Sequence, residues 1–524
     1  MSFLRLGALA ALALLVVGCT APGAQQVPDP TKDAPVDMRS VASLVHVGGD
    51  NLSARVADAT AYARFVNHNA GEPTLGITKD GSIFYAAITF ANDLAGQDLC
   101  QSTPAGTAPT CLPRTDILRS DDAGATWKTV TPYAPGGVVR AHATTGDPYV
   151  YVDQDTGRVF DIDQQDIACY ILSSSDDKGA SWVGPTDACF DAPADHQTVV
   201  AAKPRTVPAT PLYSNLFFLC YNQIADSLCV RSADGGLTFQ PTNPPYQSIP
   251  SAAPNETDPT NPDLAVCSGL VGHLKAAQDG TVYLPRRNCD QPLVAVTQDD
   301  GLTWTVSQVS KRKTYFGGGA TIGADPAVAI DAKGVAYYVF QAADGNLYLH
   351  YSKDQGKTWS PGVDVLAPGL SVGHLPALIA GDEGRVALAY VGTDVQDGYA
   401  ASKENMTNAT WDGYLAIITN ASSEKPTIVT TRVNDHVDPL VRGACGPGRC
   451  PGLYDFIDVQ VDKDGRPWAA FVDACYKKCA TPEGTDKDNS RGGGLGFIAT
   501  LATGPGLKAG QDALPAVHGV VKTG

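Results

Sequence analysis

The stretch of sequence that decides the fold is Ser120-Asp-Asp-Ala-Gly-Ala-Thr-Trp127. Its pattern is Ser/Thr-x-Asp-x-Gly-x-Thr/Ser-aromatic, and it returns at residues 175–182, 232–239, 297–304 and 352–359. The Asp and Ser side chains can bond nearby backbone amides, and the Gly can adopt the positive φ that a tight hairpin turn requires. The five copies predict a repeated β-hairpin whose Asp residues are structural rather than catalytic. A degenerate copy is expected around Ser402 to Trp411.

A second repeat occurs seven times. It opens with an acidic residue or a histidine and continues with an apolar run, a turn such as Lys79-Asp80-Gly81, and another apolar run. The openings are Glu72, Asp147, His196, His273, Asp325, His374 and Asp455. Its two strands, together with the two that flank the hairpin turn, make the four antiparallel strands of one propeller blade. Seven openings predict seven blades, and we expect Ser40 to Val47 to supply a closing strand to the last blade.

The hairpin motifs resemble the Asp boxes of sialidases and related BNR-repeat proteins, and the resemblance covers most of the chain. It implies an all-β fold, a β-propeller of four-stranded blades. Sialidases have six blades, whereas the repeat count in this sequence gives seven. We favour seven blades, with six as the alternative. We expect the propeller to span residues 38–505, followed by a C-terminal tail at 506–524. A charged fraction of 18%, with 53 Gly and 37 Pro, is typical of short strands joined by many turns.

The N-terminus resembles a bacterial lipoprotein signal. Arg5 precedes an apolar run from Leu6 to Val17, and Gly18-Cys19 follows. The run is too short to span a bilayer, whereas acyl chains on Cys19 would anchor the mature protein. We expect a signal peptide at 1–18, a flexible tether at 19–37, and an exported protein held on the cell membrane or outer membrane. An ordinary signal peptide with a chance cysteine is the alternative.

The charge pattern excludes some partners. The net charge is −17 and the Lys and Arg residues are scattered, so the sequence has no basic face for nucleic acid or for anionic membrane surfaces. It also lacks a Gly-rich phosphate loop, a G-x-S-x-G elbow and an H-E-x-x-H pair. We expect a monomer that contacts the membrane only through its anchor.

Twelve cysteines besides Cys19 fall along the chain as near neighbours. In an exported protein they predict local disulfides, because short loops cost least to close, and zinc ligation is the weaker alternative. The predicted pairs are Cys100 with Cys111, Cys169 with Cys189, Cys220 with Cys229, Cys267 with Cys289, Cys445 with Cys450, and Cys475 with Cys479.

The seven opening residues are the candidate ligand-binding rim, because the innermost strand of every blade starts at the same mouth of the central channel. Four carboxylates and three imidazoles there suit acid/base chemistry or a divalent cation. The alternative is that each polar side chain bonds the backbone of the neighbouring blade and has no ligand.

The sialidase resemblance implies a specific catalytic set: three arginines that grip a carboxylate, a tyrosine nucleophile with an acidic partner, and a further aspartate. The Arg-Ile-Pro signature of that family is absent near the first blade, which argues against a true sialidase. Substitutes on the same rim are Arg140, Arg286 or Arg287, and Arg449, with Tyr454 beside Asp455 as the nucleophile pair.

Three functions follow from these patterns. The first is a surface-anchored, sialidase-like propeller that binds a glycan or another extracellular ligand, such as a protein, at the channel mouth without necessarily cleaving it. The second is an exo-acting, sialidase-like glycoside hydrolase. The third is a scaffold protein of the cell envelope, since fold alone does not determine function.

Overall fold

The computed structural model describes residues 43–47, 53–56, 60–89, 100–101, 110–111, 114–132, 147–165, 167–190, 193–223, 227–246, 270–288, 291–315, 325–395, 409–442, 455–474 and 494–517. These stretches contain β-strands, turns and bends, and no helix. Consistent with this, no helix within them could cross a membrane.

The described strands are numbered in chain order. The first are β1 (Ser43–Val47), β2 (Ser53–Val56), β3 (Thr60–Ile77), β4 (Ile83–Thr89), β5 (Cys100–Gln101), β6 (Thr110–Cys111), β7 (Arg114–Ser120) and β8 (Lys128–Thr129). Next come β9 (Pro148–Val152), β10 (Val159–Gln165), β11 (Cys169–Ser175), β12 (Val183–Ala188), β13 (Asp195–Ala202), β14 (Leu216–Asn222), β15 (Ser227–Ser232) and β16 (Gln240–Pro241). They are followed by β17 (Lys275–Ala276), β18 (Val282–Asn288), β19 (Gln291–Thr297), β20 (Thr305–Gln308), β21 (Ala327–Ile330), β22 (Ala336–Gln341), β23 (Leu347–Ser352) and β24 (Val363–Asp364). The last are β25 (Val372–Ala380), β26 (Arg385–Thr393), β27 (Thr410–Thr419), β28 (Thr427–Arg432), β29 (Val441–Arg442), β30 (Asp458–Val461), β31 (Pro467–Asp473) and β32 (Gly494–Thr503).

These strands form a seven-bladed propeller of four-stranded antiparallel blades, which confirms the seven blades predicted from the repeat count. Blades 2 to 5 each use four consecutive strands, from β9 to β24. Blade 6 is β25 to β28, and β30 to β32 begin blade 7. Apolar side chains fill the space between neighbouring sheets; Phe160 of blade 2 stacks on Phe217 of blade 3 with ring centroids 4.4 Å apart.

The ring closes through the long strand β3. Its first half pairs with β32 from Thr60↔Thr503 onwards, and so completes blade 7. Its second half pairs with β4 and is the inner strand of blade 1. One continuous strand therefore joins the first and last blades and leaves no free edge between them.

The predicted closing strand, Ser40 to Val47, was wrong. The strand found there, β1, pairs with β28 on the outer edge of blade 6, and β2 pairs with β1. The edge of β32 is already paired with β3, so β1 could not pair with β32 and instead extends the open edge of β28. Part of the segment predicted as a C-terminal tail is also packed: Leu507 and Leu514 are buried, and Arg385 donates to the carbonyls of Gly506 and Gln511.

The five Asp boxes are hairpin turns between the third and fourth strands of blades 1 to 5. In the first, Gly124 N donates to Ser120 Oγ at 2.8 Å, and Asp122 accepts from the amide and hydroxyl of Thr126 at 2.8 and 2.6 Å. The same bonds recur in the other four boxes. The degenerate copy predicted around Ser402 to Trp411 was wrong, because Trp411 lies buried within β27 and the corresponding turn of blade 6 follows Thr419.

Two of the predicted disulfides are confirmed. Cys169 is bonded to Cys189 across blade 2, and Cys220 is bonded to Cys229 between β14 and β15 of blade 3. Cys100 and Cys111 are register partners in the β5–β6 ladder. The other predicted pairs, formed by Cys267, Cys289, Cys445, Cys450, Cys475 and Cys479, lie outside the described residues, as does Cys19.

Candidate functional site

The inner strands can be aligned by the turns at their ends. In six blades one amide closes the turn, as when Thr78 N donates to Ser82 O and Asp331 N donates to Val335 O. In blade 3, Thr198 Oγ1 accepts an amide of the next blade, as Thr74 Oγ1 does in blade 1. The residue that forms the mouth of the channel lies six positions before the closing amide in those six blades. In blade 3 it lies two positions before Thr198.

We call this ring of seven residues the upper layer; it consists of Glu72, Asp147, His196, Val271, Asp325, Leu375 and Phe456. Four members are the predicted rim residues of their blades. His273 lies two positions further along its strand, in the layer below. His374 and Asp455 each precede their blade's member of the upper layer by one residue. The mouth is therefore part charged and part apolar.

His196 is the centre of the charged part. Its Nε2 lies 2.6 Å from Asp325 Oδ2, although the carboxylate is off the N–H direction, so the contact is an ion pair without hydrogen-bond alignment. Its Nδ1 lies 3.8 Å from Asp147 Oδ2. Burial lowers the pKa of His196, but the charges of Asp325, Asp147 and Asp455 outweigh burial and raise the pKa to about 10. His196 is therefore a buried imidazolium at neutral pH.

Phe456 forms the floor of the mouth. Its ring lies edge-on to both His196 and His273, with centroids 5.3 Å apart in each case. Beneath it, His273 Nδ1 is 3.6 Å from Asp458 Oδ1, and Asp458 Oδ2 accepts the amide of Leu75 at 2.9 Å. Blade 7 therefore contacts blades 1, 3 and 4 through adjacent side chains, and these contacts narrow the channel.

The backbone bulges where three blades enter the mouth. The strand register shifts at Glu72, at His196 and at Leu375, and these residues have φ of 50°, 53° and 52°. Positive φ is unfavourable for residues other than glycine and is concentrated at functional sites. Bulges also redirect side chains. A β-bulge with a positive φ therefore orients the upper-layer side chain in each of blades 1, 3 and 6.

Comparison with known families identifies the Asp box of blade 5. Residues 350–361 match the BNR/Asp-box repeat model. The chain is an Asp-box β-propeller. No curated protein matches the sequence of this propeller.

Several solved structures resemble the Asp-box propeller at low identity. A Dyadobacter fermentans protein of unknown function is 15% identical over 84% of this chain and 97% of its own, with a TM-score of 0.39. The Ruminococcus gnavus intramolecular trans-sialidase is 12% identical over 83% of this chain and 95% of its own, with a TM-score of 0.38. The Aleuria aurantia lectin is 8% identical over 74% of this chain and 99% of its own, with a TM-score of 0.37.

The structure places some of the predicted catalytic residues of the propeller. Arg287 is buried and donates from Nη1 to the carbonyl of Tyr315 at 3.1 Å. Burial lowers the pKa of Arg287, and the nearby Asp325 opposes that effect. Arg286 lies over the ring of Tyr246 at 5.2 Å. Asp455 belongs to the charged cluster around His196. Arg140, Arg449 and Tyr454 lie outside the described residues.

Little of the upper layer reaches solvent. Asp147, Asp325 and the neighbouring Asp455 are 7–8% exposed, whereas His196 is 2% exposed. The mouth therefore presents carboxylate edges outward, with the imidazolium beneath them. No group of three or more His, Cys, Asp or Glu residues in the described ranges is arranged to hold a metal ion. The described side chains therefore do not support the divalent cation that was predicted at the channel mouth.

Sequence reasoning did not find three residues of this site. Phe456, Asp458 and Lys275 line the channel and lie one or a few positions after the predicted openings. The available signal was the turn at the end of each inner strand. Counting back from those turns, rather than forward from the first polar residue, identifies Phe456 in blade 7.

Proposed function

We propose that this exported propeller is a glycan-binding protein that takes neutral, hydroxyl-rich ligands at its channel mouth, anchored to the membrane through Cys19. The observation that carries the proposal is the cluster in which Asp147, Asp325 and Asp455 surround His196. Strongly shifted pKa values combined with a strained backbone are typical of functional sites.

The charge of the mouth selects the kind of ligand. Carboxylates accept hydrogen bonds from hydroxyl groups, and such charge-assisted bonds are stronger than neutral ones. A ligand with its own carboxylate, such as a sialic acid, would be repelled by Asp147, Asp325 and Asp455. Arg287, which lies near Asp325, already donates to the carbonyl of Tyr315. Neutral sugars are therefore favoured.

Hydrolysis is a separate hypothesis. A sialidase-like reaction needs Arg140, Arg449 and Tyr454 to converge with Arg287 and Asp455, and this convergence stays a prediction of the sequence. The scaffold hypothesis likewise stays a prediction.

An array of neutral and sialylated glycans tests the proposal with the full-length lipidated chain. We expect binding to neutral glycans, weakened by about tenfold or more in Asp325→Asn, because one charge-assisted acceptor is lost. Asp187→Asn is the matched control, since Asp187 is exposed on the outer strand of blade 2. Binding only to sialylated glycans, or binding that Asp325→Asn leaves unchanged, would contradict the proposal.

The anchor is tested separately by metabolic labelling with a radioactive fatty acid. The wild-type chain is expected to incorporate the label and to fractionate with membranes, and Cys19→Ser is expected to do neither. Equal labelling of both chains would show that Cys19 is not the anchor.

A further inference from the structure

A second pocket opens on the same face as the channel mouth, at blade 6. It is formed where β24 leads into β25, where β26 ends, where β27 begins and where β28 ends. Its volume is about 240 Å³. It shares no residue with the upper layer, so any ligand held here is bound independently of the channel.

Asp412 organises the polar side of this pocket. Its Oδ2 accepts from His436 Nδ1 at 2.7 Å and lies 3.7 Å from Arg432 Nη1. Its Oδ1 accepts from Asn434 Nδ2 at 2.8 Å. Asn434 is itself held, because its Oδ1 accepts the amide of Gly413 at 2.9 Å. Asp412 is buried, so it positions Arg432 and His436 rather than meeting a ligand directly.

The groups left facing the cavity are mixed in charge and in hydrogen-bonding type. Arg432 lines the cavity with 24% of its side chain exposed, and the side chain of His436 is 51% exposed. The exposed Asp394 contributes a carboxylate at the edge, and Thr393 and Thr410 also line the cavity. The lining also includes the apolar residue Leu370.

We propose that this pocket binds one ring of a neutral sugar. Hydrogen-bond donors and acceptors both line it, together with the apolar Leu370, and these groups match the vicinal hydroxyls and the C–H face of a hexopyranose. Asp394 disfavours anionic ligands, whereas Arg432 and His436 disfavour cationic ones. The volume lies below the roughly 300–1,000 Å³ of pockets for drug-sized ligands, so a single ring fits and an oligosaccharide does not.

The ring can be a free monosaccharide or the terminal residue of a longer glycan. Methyl glycosides of glucose, galactose and mannose probe the shared chemistry. A trisaccharide whose terminal ring is the one that binds most tightly as a methyl glycoside distinguishes the two sources. If the trisaccharide binds as tightly as that methyl glycoside, the pocket takes glycan ends. If it binds more weakly, the pocket takes free sugars.

Saturation-transfer NMR with the full-length chain measures this binding. We expect saturable binding of at least one neutral methyl glycoside, weakened about tenfold by His436→Ala and by Arg432→Gln, since each removes a donor to the ligand. The matched controls are Val437→Ala, on the same loop, and Arg312→Gln, an exposed arginine on the connection from blade 4 to blade 5. Both should stay within about twofold.

Three outcomes would overturn the proposal. They are the absence of saturable binding by every neutral glycoside, binding that both pocket variants leave unchanged, and tighter binding of N-acetylneuraminic acid that depends on the same residues. Because the pocket and the channel mouth share no residue, each set of variants reports on its own site. Failure here therefore leaves the test of the mouth intact.

Discussion

Nε2 of His196 in blade 3 lies 2.6 Å from Oδ2 of Asp325 in blade 5. Blade 4 lies between these two blades in the ring but takes no part in the contact, because its residue in the upper layer is the apolar Val271. It therefore joins two blades that are not neighbours in the ring. A buried ion pair of this kind is strongly destabilised when one partner is removed, because the other charge is left uncompensated.

Replacing His196 should destabilise the fold most at pH 6.5 and below, and less as the pH rises. We expect His196→Gln to lower the free energy of unfolding by about 3–5 kcal/mol at pH 6.5, measured by denaturant titration. The pKa of His196 is raised from 6.5 to about 10 on folding, so its stabilising contribution is complete below pH 6.5 and is lost as the pH rises to 10. The difference between variant and wild type should shrink over that interval. A difference that is constant from pH 6.5 to 10 would show that His196 is not a buried cation.

Asp300 links blades 3 and 4. Its carboxylate accepts the amides of Arg205, Thr206 and Val207, with the Thr206 and Val207 bonds at 2.6 and 2.8 Å. We expect Asp300→Ala to destabilise the protein by about 2–4 kcal/mol, because three amides lose a charged acceptor. Asp300→Asn keeps one acceptor oxygen and tolerates the positive φ at this position, so it should cost less. Equal losses for the two variants in thermal unfolding would argue against the carboxylate as the link.

Asp161 is a buried acid between blades 1 and 2, and neither of its oxygens has a hydrogen-bond partner. Burial, together with the neighbouring Asp163, raises the pKa of Asp161 well above 3.8. The folded protein therefore keeps a proton that the unfolded chain releases, and the wild type loses stability as the pH rises above 3.8.

Asp161→Asn should remove that loss. We expect the variant and the wild type to be about equally stable near pH 3.8, and the variant to be more stable by about 1–3 kcal/mol at pH 7, in urea titrations. Asp187→Asn, an exposed change in the same blade, serves as the control and should show no such trend. A variant that is less stable at pH 7 would show that Asp161 has a stabilising partner.

The Asp boxes should matter for stability and not for ligand binding. Asp234 accepts from Ser232 Oγ, from the amide of Thr238 and from its hydroxyl, all within one turn on the face opposite the channel mouth. Asp234→Ala is expected to lower the free energy of unfolding by about 1–2 kcal/mol and to leave glycan binding within about twofold of the wild type. Loss of binding in a folded variant would contradict the structural role of the box.

The parts of the fold that were predictable are those held by contacts near in sequence. Each Asp box satisfies its amides within seven residues, so the pattern at 120–127 predicted its own turn. The disulfides between Cys169 and Cys189 and between Cys220 and Cys229 each close one hairpin region, so the spacing of cysteines predicted them.

The site was harder to predict because side chains meet there from distant blades. The opening residues of blades 1, 2, 3 and 5 were identified, but in blade 6 the bulge residue that lies in the upper layer is Leu375, one position after His374. The pair formed by Asp412 and His436 joins a strand to a later loop and has no repeated pattern.

The sequence by itself determined the all-β class, the number of blades and the turns between their outer strands, since hydrogen bonds between residues a few positions apart produce these features. Only the tertiary structure decided that β3 closes the ring and that His196 meets Asp325 across the mouth. The physical reason is that strand pairing at the closure and charge pairing at the axis depend on which ladder edges and which side chains remain available after all seven blades have packed.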